Sequence, residues 1–226
     1  MKKVILLLLA LLLTVAAIPY RGPYPQYAIG ESISQPSYSE RISRYTDVLE
    51  QAPIIAEVEI IQHKGDLPDD IYYYGSLYLA RVTSCYKNTS GKELSLIELV
   101  QDGNSQMTYA GYPLFQTGDR LLLPLISCEK DSVLSDTHPS YYRIYGQNQT
   151  AMQIVSSKAG DICFTFLPSL TDLPKGGVTA EMTADMKAVI EQKYNVPEGK
   201  IRPLPPLYNS VSLDEMKTWI IKELNE

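Results

Sequence analysis

Three cysteines and two histidines are the only side chains in this 226-residue chain that could supply a thiol nucleophile, its imidazole base or a Cys/His zinc cluster. A thiolate nucleophile needs a base, usually histidine, within hydrogen-bond reach. Cys128, Cys163, His138 and Asp136 are the candidates for such a set. None lies in a recognisable catalytic motif, and Cys163 sits inside an apolar run, Ile162-Cys163-Phe164. The common zinc spacings need more Cys and His than the chain has. The acids Asp66, Asp69 and Asp70 suggest calcium, but their spacing is not that of a known calcium loop. No catalytic residue, cofactor or metal is therefore expected.

Tyrosine is the other unusual feature, with 17 Tyr against 3 Phe and 1 Trp. Tyr72, Tyr73 and Tyr74 form one cluster, and Tyr141, Tyr142 and Tyr145 a second. Tyrosine supplies rigid amphipathic contact area, so these six are the candidate partner-binding residues. The competing reading is that the rings alternate between interior and surface, as in ordinary strands. Asn88-Thr89-Ser90 and Asn148-Gln149-Thr150 are formal glycosylation sites, meaningful only in a eukaryotic secretory pathway.

The start of the chain, MKKVILLLLALLLTVAAIPY, sets the compartment. Lys2 and Lys3 precede an apolar stretch from Val4 to Ala17, and Val15 and Ala17 are the small residues of a cleavage site. That is the pattern of a secretory signal peptide over residues 1–17. Cleavage removes two Lys and no acid, so the net charge moves from −6 to −8. With that charge no nucleic-acid partner is expected, and a membrane partner only if the signal peptide is not cleaved. In an oxidising compartment two cysteines can pair, with Cys85 and Cys128 the candidate disulfide; the alternative is three buried apolar fillers.

The rest of the chain must position these residues. Residues 18–37 are rich in Pro, Gly, Ser and Tyr and read as an extended leader. Tyr38 to Gln51 reads as a helix capped by Ser39, with Ile42, Tyr45 and Leu49 on one face. Strands follow at Ile54 to Gln62, Tyr72 to Lys87, Glu93 to Gln101, Gln106 to Ala110, Arg120 to Ser127, Tyr141 to Tyr145, Ala151 to Val155 and Asp161 to Phe166. Arg120 to Ser127 is apolar on both faces, so it is covered on both sides, and Pro124 places it at an edge or bulge. A helix spans about Thr179 to Tyr194, with Met182, Met186, Val189, Ile190 and Tyr194 as its stripe. The β-barrel domain with its helices thus covers 38–195. A Pro-rich connector covers 196–210, and its Arg202-Pro203-Leu204-Pro205-Pro206-Leu207 reads as a stiff spacer. An amphipathic helix covers 211–226, opened by the capping box Ser212-Leu213-Asp214-Glu215. The expected architecture is mainly β with flanking helices: a small closed or partly open β-barrel plus N-terminal and C-terminal helices.

Several segments carry a resemblance. Thr46-Asp47-Val48-Leu49-Glu50-Gln51-Ala52 precedes the first strand; Cys85-Tyr86-Lys87-Asn88 closes the long second one. Val100-Gln101-Asp102-Gly103 and Phe115-Gln116-Thr117-Gly118-Asp119-Arg120-Leu121-Leu122-Leu123 follow. Over about residues 39–155 the chain resembles small secreted proteins of Gram-positive bacteria with an OB-like barrel, and more distantly the netrin and metalloprotease-inhibitor barrel. The resemblance implies the OB-like fold and no particular activity. In the inhibitor family an N-terminal Cys chelates the target's metal, whereas cleavage here would leave Ile18-Pro19-Tyr20. The expected function is secreted, non-enzymatic binding of an extracellular protein or glycan at or beyond the cell surface. The alternatives are a secreted inhibitor or modulator of an extracellular enzyme, and a thiol-dependent enzyme.

Overall fold

A computed structural model describes residues 33–34, 42–67, 74–109, 112–128, 141–165, 170–194 and 208–226. The stretch read as a signal peptide, most of the stretch read as a leader and residues 195–207 lie outside the described residues.

Ten strands and three helices form the described fold. β1 (Ile33–Ser34) pairs in parallel with β5 (Thr108–Tyr109). β2 (Ile54–Asp66), β3 (Gly75–Asn88), β4 (Leu96–Asp102), β6 (Arg120–Ser127) and β7 (Tyr141–Ile144) close a five-stranded barrel. Around it the order is β6-β2-β3-β4-β7 and back to β6. Every contact is antiparallel except β4 with β7. β8 (Met152–Ser157), β9 (Gly160–Thr165) and β10 (Tyr208–Ser212) extend the sheet outward from β6.

Alternation along the barrel strands explains the closure. Ala56, Val58 and Ile60 of β2 point inward with Tyr78 and Ala80 of β3, Ile97 and Leu99 of β4, and Leu121, Leu123 and Leu125 of β6. The intervening residues point outward. β6 is covered on both faces as expected, since Leu122 enters a second, outer core. Pro124 does not mark an edge. β6 pairs with β8 through Arg120–Leu122 and with β7 through Leu125–Ser127. Pro124 therefore falls where one neighbour gives way to the other, the place in a closed strand where a missing N–H costs least.

The outer core lies between the barrel and two helices, α1 (Tyr45–Gln51) and α3 (Leu213–Asn225). Tyr45, Val48 and Leu49 of α1 meet Leu213, Met216 and Ile220 of α3 over Ile55, Leu122 and Cys163. α2 (Ala180–Tyr194) covers the opposite face of β8 and β9 with Met182 and Met186, while Val189 is exposed. The N-terminal helix starts at Tyr45 rather than Tyr38, and Ser39 lies outside the described residues. Its cap is remote: Asp172 accepts from the backbone N–H and hydroxyl of Thr46 at 3.0 and 2.6 Å. Its other end is closed by Lys87, whose Nζ donates to the carbonyls of Leu49 and Glu50, both at 2.7 Å. The C-terminal helix starts at its capping residue, with Glu215 N–H donating to Ser212 Oγ at 3.2 Å. Gly177 lies against that cap with φ +72°, and a Cβ there would stand 2.3 Å from Ser212 Oγ. Only glycine fits.

Candidate functional site

Among the described residues, the helices and outer strands cover one side of the barrel, while the outer face of β3, β4 and β7 is buried around Leu77, Val100 and Tyr141 and exposed at Arg81 and Leu96. Leu77, Leu79 and Arg81 of β3 project onto this face, aligned in register with Val100, Glu98 and Leu96 of β4. Tyr141 and Arg143 of β7 continue the rows from Glu98 and Val100. Leu67, Leu77, Val100 and Tyr141 pack into a small apolar cluster with Cys128 beside it. At the other end of the face Leu96 is 56% exposed. Arg81 pairs with Glu59 at 3.3 Å, Arg143 with Asp102 at 3.8 Å, and Lys64 reaches over β3 to Glu98. Each of these cations thus has its own carboxylate. The apolar cluster is buried, so the part of the face open to a ligand is the charge-balanced surface around exposed Leu96, which suits a ligand without strong net charge. A polyanion needs uncompensated cations instead.

The barrel end next to this face holds His63. Its ring stacks against Tyr78 at a centroid distance of 4.9 Å, and its Nε2 lies 3.7 Å from Asp66 Oδ1. Burial lowers the imidazole's pKa, against the upward pull of Asp66. Asp66 accepts from Ser105 N–H at 3.1 Å and from the Ser105 hydroxyl, while Ser76 Oγ, 3.2 Å from Asp66, has its shorter hydrogen bond to the Gly103 carbonyl at 2.9 Å. Both hydroxyl protons are thus directed at oxygens other than the imidazole. A Ser-His-Asp relay needs the serine on the imidazole, so this group ties loop ends together and does not activate a nucleophile.

The tyrosine clusters divide. Tyr141 and Tyr142, read as partner-binding candidates, are 1% and 5% exposed and belong to apolar clusters, because their strand closes the barrel. They have no surface to offer a partner, which corrects the expectation for both. The Tyr145 hydroxyl donates to Gln51 Oε1 at 2.6 Å and so ties β7 to α1. Tyr74 stands at the head of β3 with a left-handed φ of 56°. Tyr72 and Tyr73 lie outside the described residues, as do Asp69, Asp70, Asp136 and His138.

The candidate disulfide is also corrected: none of Cys85, Cys128 and Cys163 is in a disulfide. Cys85 pairs with Ala56, and Ala56 with Leu123, five residues short of Cys128. Two strand spacings of about 4.8 Å and five residues at about 3.3 Å lie between them, beyond the Cα separation of about 7 Å that a disulfide tolerates. Cys163 is buried in the outer core, where burial drives its thiol pKa far up and keeps it protonated. It cannot serve as a nucleophile in this state. The sequon at Asn148 is closed too, since that side chain is buried and donates to the Asp102 carbonyl at 2.9 Å.

Sequence reading missed one polar cluster. Glu57 is 3% exposed and points outward from β2 under α3. Tyr86 donates its hydroxyl to Glu57, Lys217 Nζ lies 3.1 Å from Oε1, and Arg120 lies 3.8 Å from Oε2. Arg120 also pairs with Asp161 at 2.6 Å. Burial and the hydrogen bond to Glu57 push the Tyr86 phenol far above its ordinary pKa. Burial opposes ionisation of Asp161, but hydrogen bonds from Arg120 and Ser156 bring its pKa below the usual value. The available signal was Glu57 and Glu59 alternating with Val58 and Ile60 in a strand whose outer face had to be covered.

Compared with known proteins, the chain matches no family model and no curated protein sequence.

Proposed function

We propose that this protein is a secreted, non-enzymatic binding domain with an OB-like barrel, and that the outer face of β3, β4 and β7 receives its ligand. The single observation carrying this reading is that the face combines exposed Leu96 with locally neutralised cations, while helices cover the other side of the barrel. The strand order and the one parallel contact between β4 and β7 support the OB-like assignment. OB barrels bind oligosaccharides and oligonucleotides on the outer surface of their second and third strands, here β3 and β4. Charge balance on the face and the overall acidity favour an extracellular glycan or protein over nucleic acid. Lys2, Lys3 and the apolar stretch to Ala17 support export.

The test is binding of the secreted protein to a glycan array and to isolated cell-surface proteins, at low and high salt. Arg81→Gln combined with Leu96→Asp should abolish binding and change thermal unfolding little, since both side chains are exposed and a surface ion pair contributes little. Binding should also be nearly independent of salt. Retained binding in that variant, or a steep fall with salt, would contradict the assignment.

A further inference from the structure

The turn between β4 and β5 meets β2 through Asp66. The ends of the turn are fixed separately: the Gly103 N–H donates to the Tyr74 carbonyl at 2.6 Å, and Asn104 Oδ1 accepts the N–H groups of Gln106 and Met107, both at 3.0 Å. The tip is Ser105. Asp66 Oδ2 accepts its N–H at 3.1 Å and its hydroxyl as well.

The other oxygen of that carboxylate faces an imidazole. His63 Nε2 is a buried atom without a hydrogen-bond partner among the described residues, and it lies 3.7 Å from Asp66 Oδ1. That distance is too long for a hydrogen bond, so the neutral ring leaves Asp66 to Ser105. Protonation changes the competition. An imidazolium donates from both nitrogens, and a carboxylate is the acceptor that binds it most strongly. Closing Nε2 onto Oδ1 at about 2.8 Å brings the two groups about 0.9 Å together. The ring is stacked on Tyr78, which is fully buried, so the movement falls on the carboxylate. The Ser105 N–H already stands near the long end of the hydrogen-bond range. A carboxylate displaced that far does not keep it.

Among the described residues, the titratable groups at His63 are Asp66 from its own strand and Tyr78 from β3. Lys64 beside it is turned to Glu98 of β4, and Asp119, before β6, bears on the Tyr78 phenol. Burial holds the imidazole below its ordinary pKa against the pull of Asp66, so the exchange of partners begins below the ordinary imidazole range.

We propose that His63 and Asp66 form a proton-operated clasp: a proton on His63 draws Asp66 from Ser105 to the imidazolium and releases the tip of the β4–β5 turn. The experiment follows the protein by NMR through a pH titration. The His63 ring resonances give its midpoint, and amide exchange, corrected for its intrinsic pH dependence, gives the protection of Ser105. Ser105 should lose protection several-fold as pH falls through the His63 midpoint, while the amides of β6 keep theirs. His63→Gln removes the titrating group and should keep Ser105 protected through that range. Asp66→Asn removes the upward pull and should lower the His63 midpoint. The two side chains are 33% and 30% exposed, so both variants should fold. Protection of Ser105 that stays constant through the midpoint, or that falls equally in His63→Gln or together with β6, would overturn the proposal. So would a His63 midpoint that Asp66→Asn does not move.

Discussion

The carboxylate of Asp172 closes the N-terminus of a helix that begins 127 residues earlier, accepting the backbone N–H of Tyr45 and, at 3.0 Å, that of Thr46. α1 has only seven residues, too few to persist on helix propensity alone. Asp172 and Lys87 hold its two ends from elsewhere in the chain, and Tyr45 and Leu49 anchor it to the outer core. Asp172→Ala should destabilise the protein by about 1 kcal/mol, measured by denaturant unfolding at neutral pH.

The same residue gives a pH dependence. Burial opposes ionisation of Asp172, but hydrogen bonds from the Thr46 hydroxyl and the amides of Thr46 and Tyr45 bring its pKa below the usual value. A carboxyl with a lowered folded-state pKa contributes stability above its unfolded pKa. That contribution is lost as pH falls through the folded value. The difference between wild type and Asp172→Ala should thus be full at neutral pH and shrink in acid. A difference that stays constant below the ordinary aspartate range would show that the charge does not matter to the cap.

Thiol accessibility follows burial. Under native conditions an alkylating reagent should modify Cys85, which is exposed, and leave Cys163 untouched until the protein unfolds. Intact mass before and after denaturation reads this out. Rapid native labelling of Cys163 would mean that the outer core is open.

The two sequons should behave oppositely. Secreted from a eukaryotic cell, the protein should carry glycan on Asn88, in an exposed turn, and none on Asn148, which is packed against the Asp102 carbonyl. Peptide mapping distinguishes the two sites.

Tyr142 and Leu96 separate fold from surface. Tyr142→Ala should cost about 3–5 kcal/mol, as large aromatic truncations in a core do, because the ring lines the barrel. Leu96→Asp should leave stability within about 0.5 kcal/mol, because that side chain is exposed. Chemical denaturation of the two variants checks both values.

Local chemistry made much of this fold legible in the sequence. β6 was readable end to end because Arg120 and Ser127 bracket an unbroken apolar run, and α3 because Ser212 and Glu215 form a capping box. What escaped depended on distant partners. The start of α1 is set by Asp172, so no residue near Tyr38 announces it. β10 lies beside the Pro-rich connector and becomes a strand only because β9 offers an edge. Pro124 read as an edge signal because the exchange of β8 for β7 beside it is a property of closure. The two tyrosines that open β7 were misassigned for the same reason: Tyr141 and Tyr142 face opposite sides of one strand, and both rings are buried. Glu57 was visible as a charge but not as a site, since its partners come from β3, β6 and α3.

The central claim is that the outer face of β3, β4 and β7 contacts the ligand. The most direct measurement places a photo-activated benzophenone side chain at position 96, and separately at position 221 on the exposed side of α3. Each protein is then irradiated in contact with the surface of the cells that produce it. The account predicts a discrete adduct from position 96 and none from position 221. An adduct from position 221 alone would place the ligand on the helical side and contradict it.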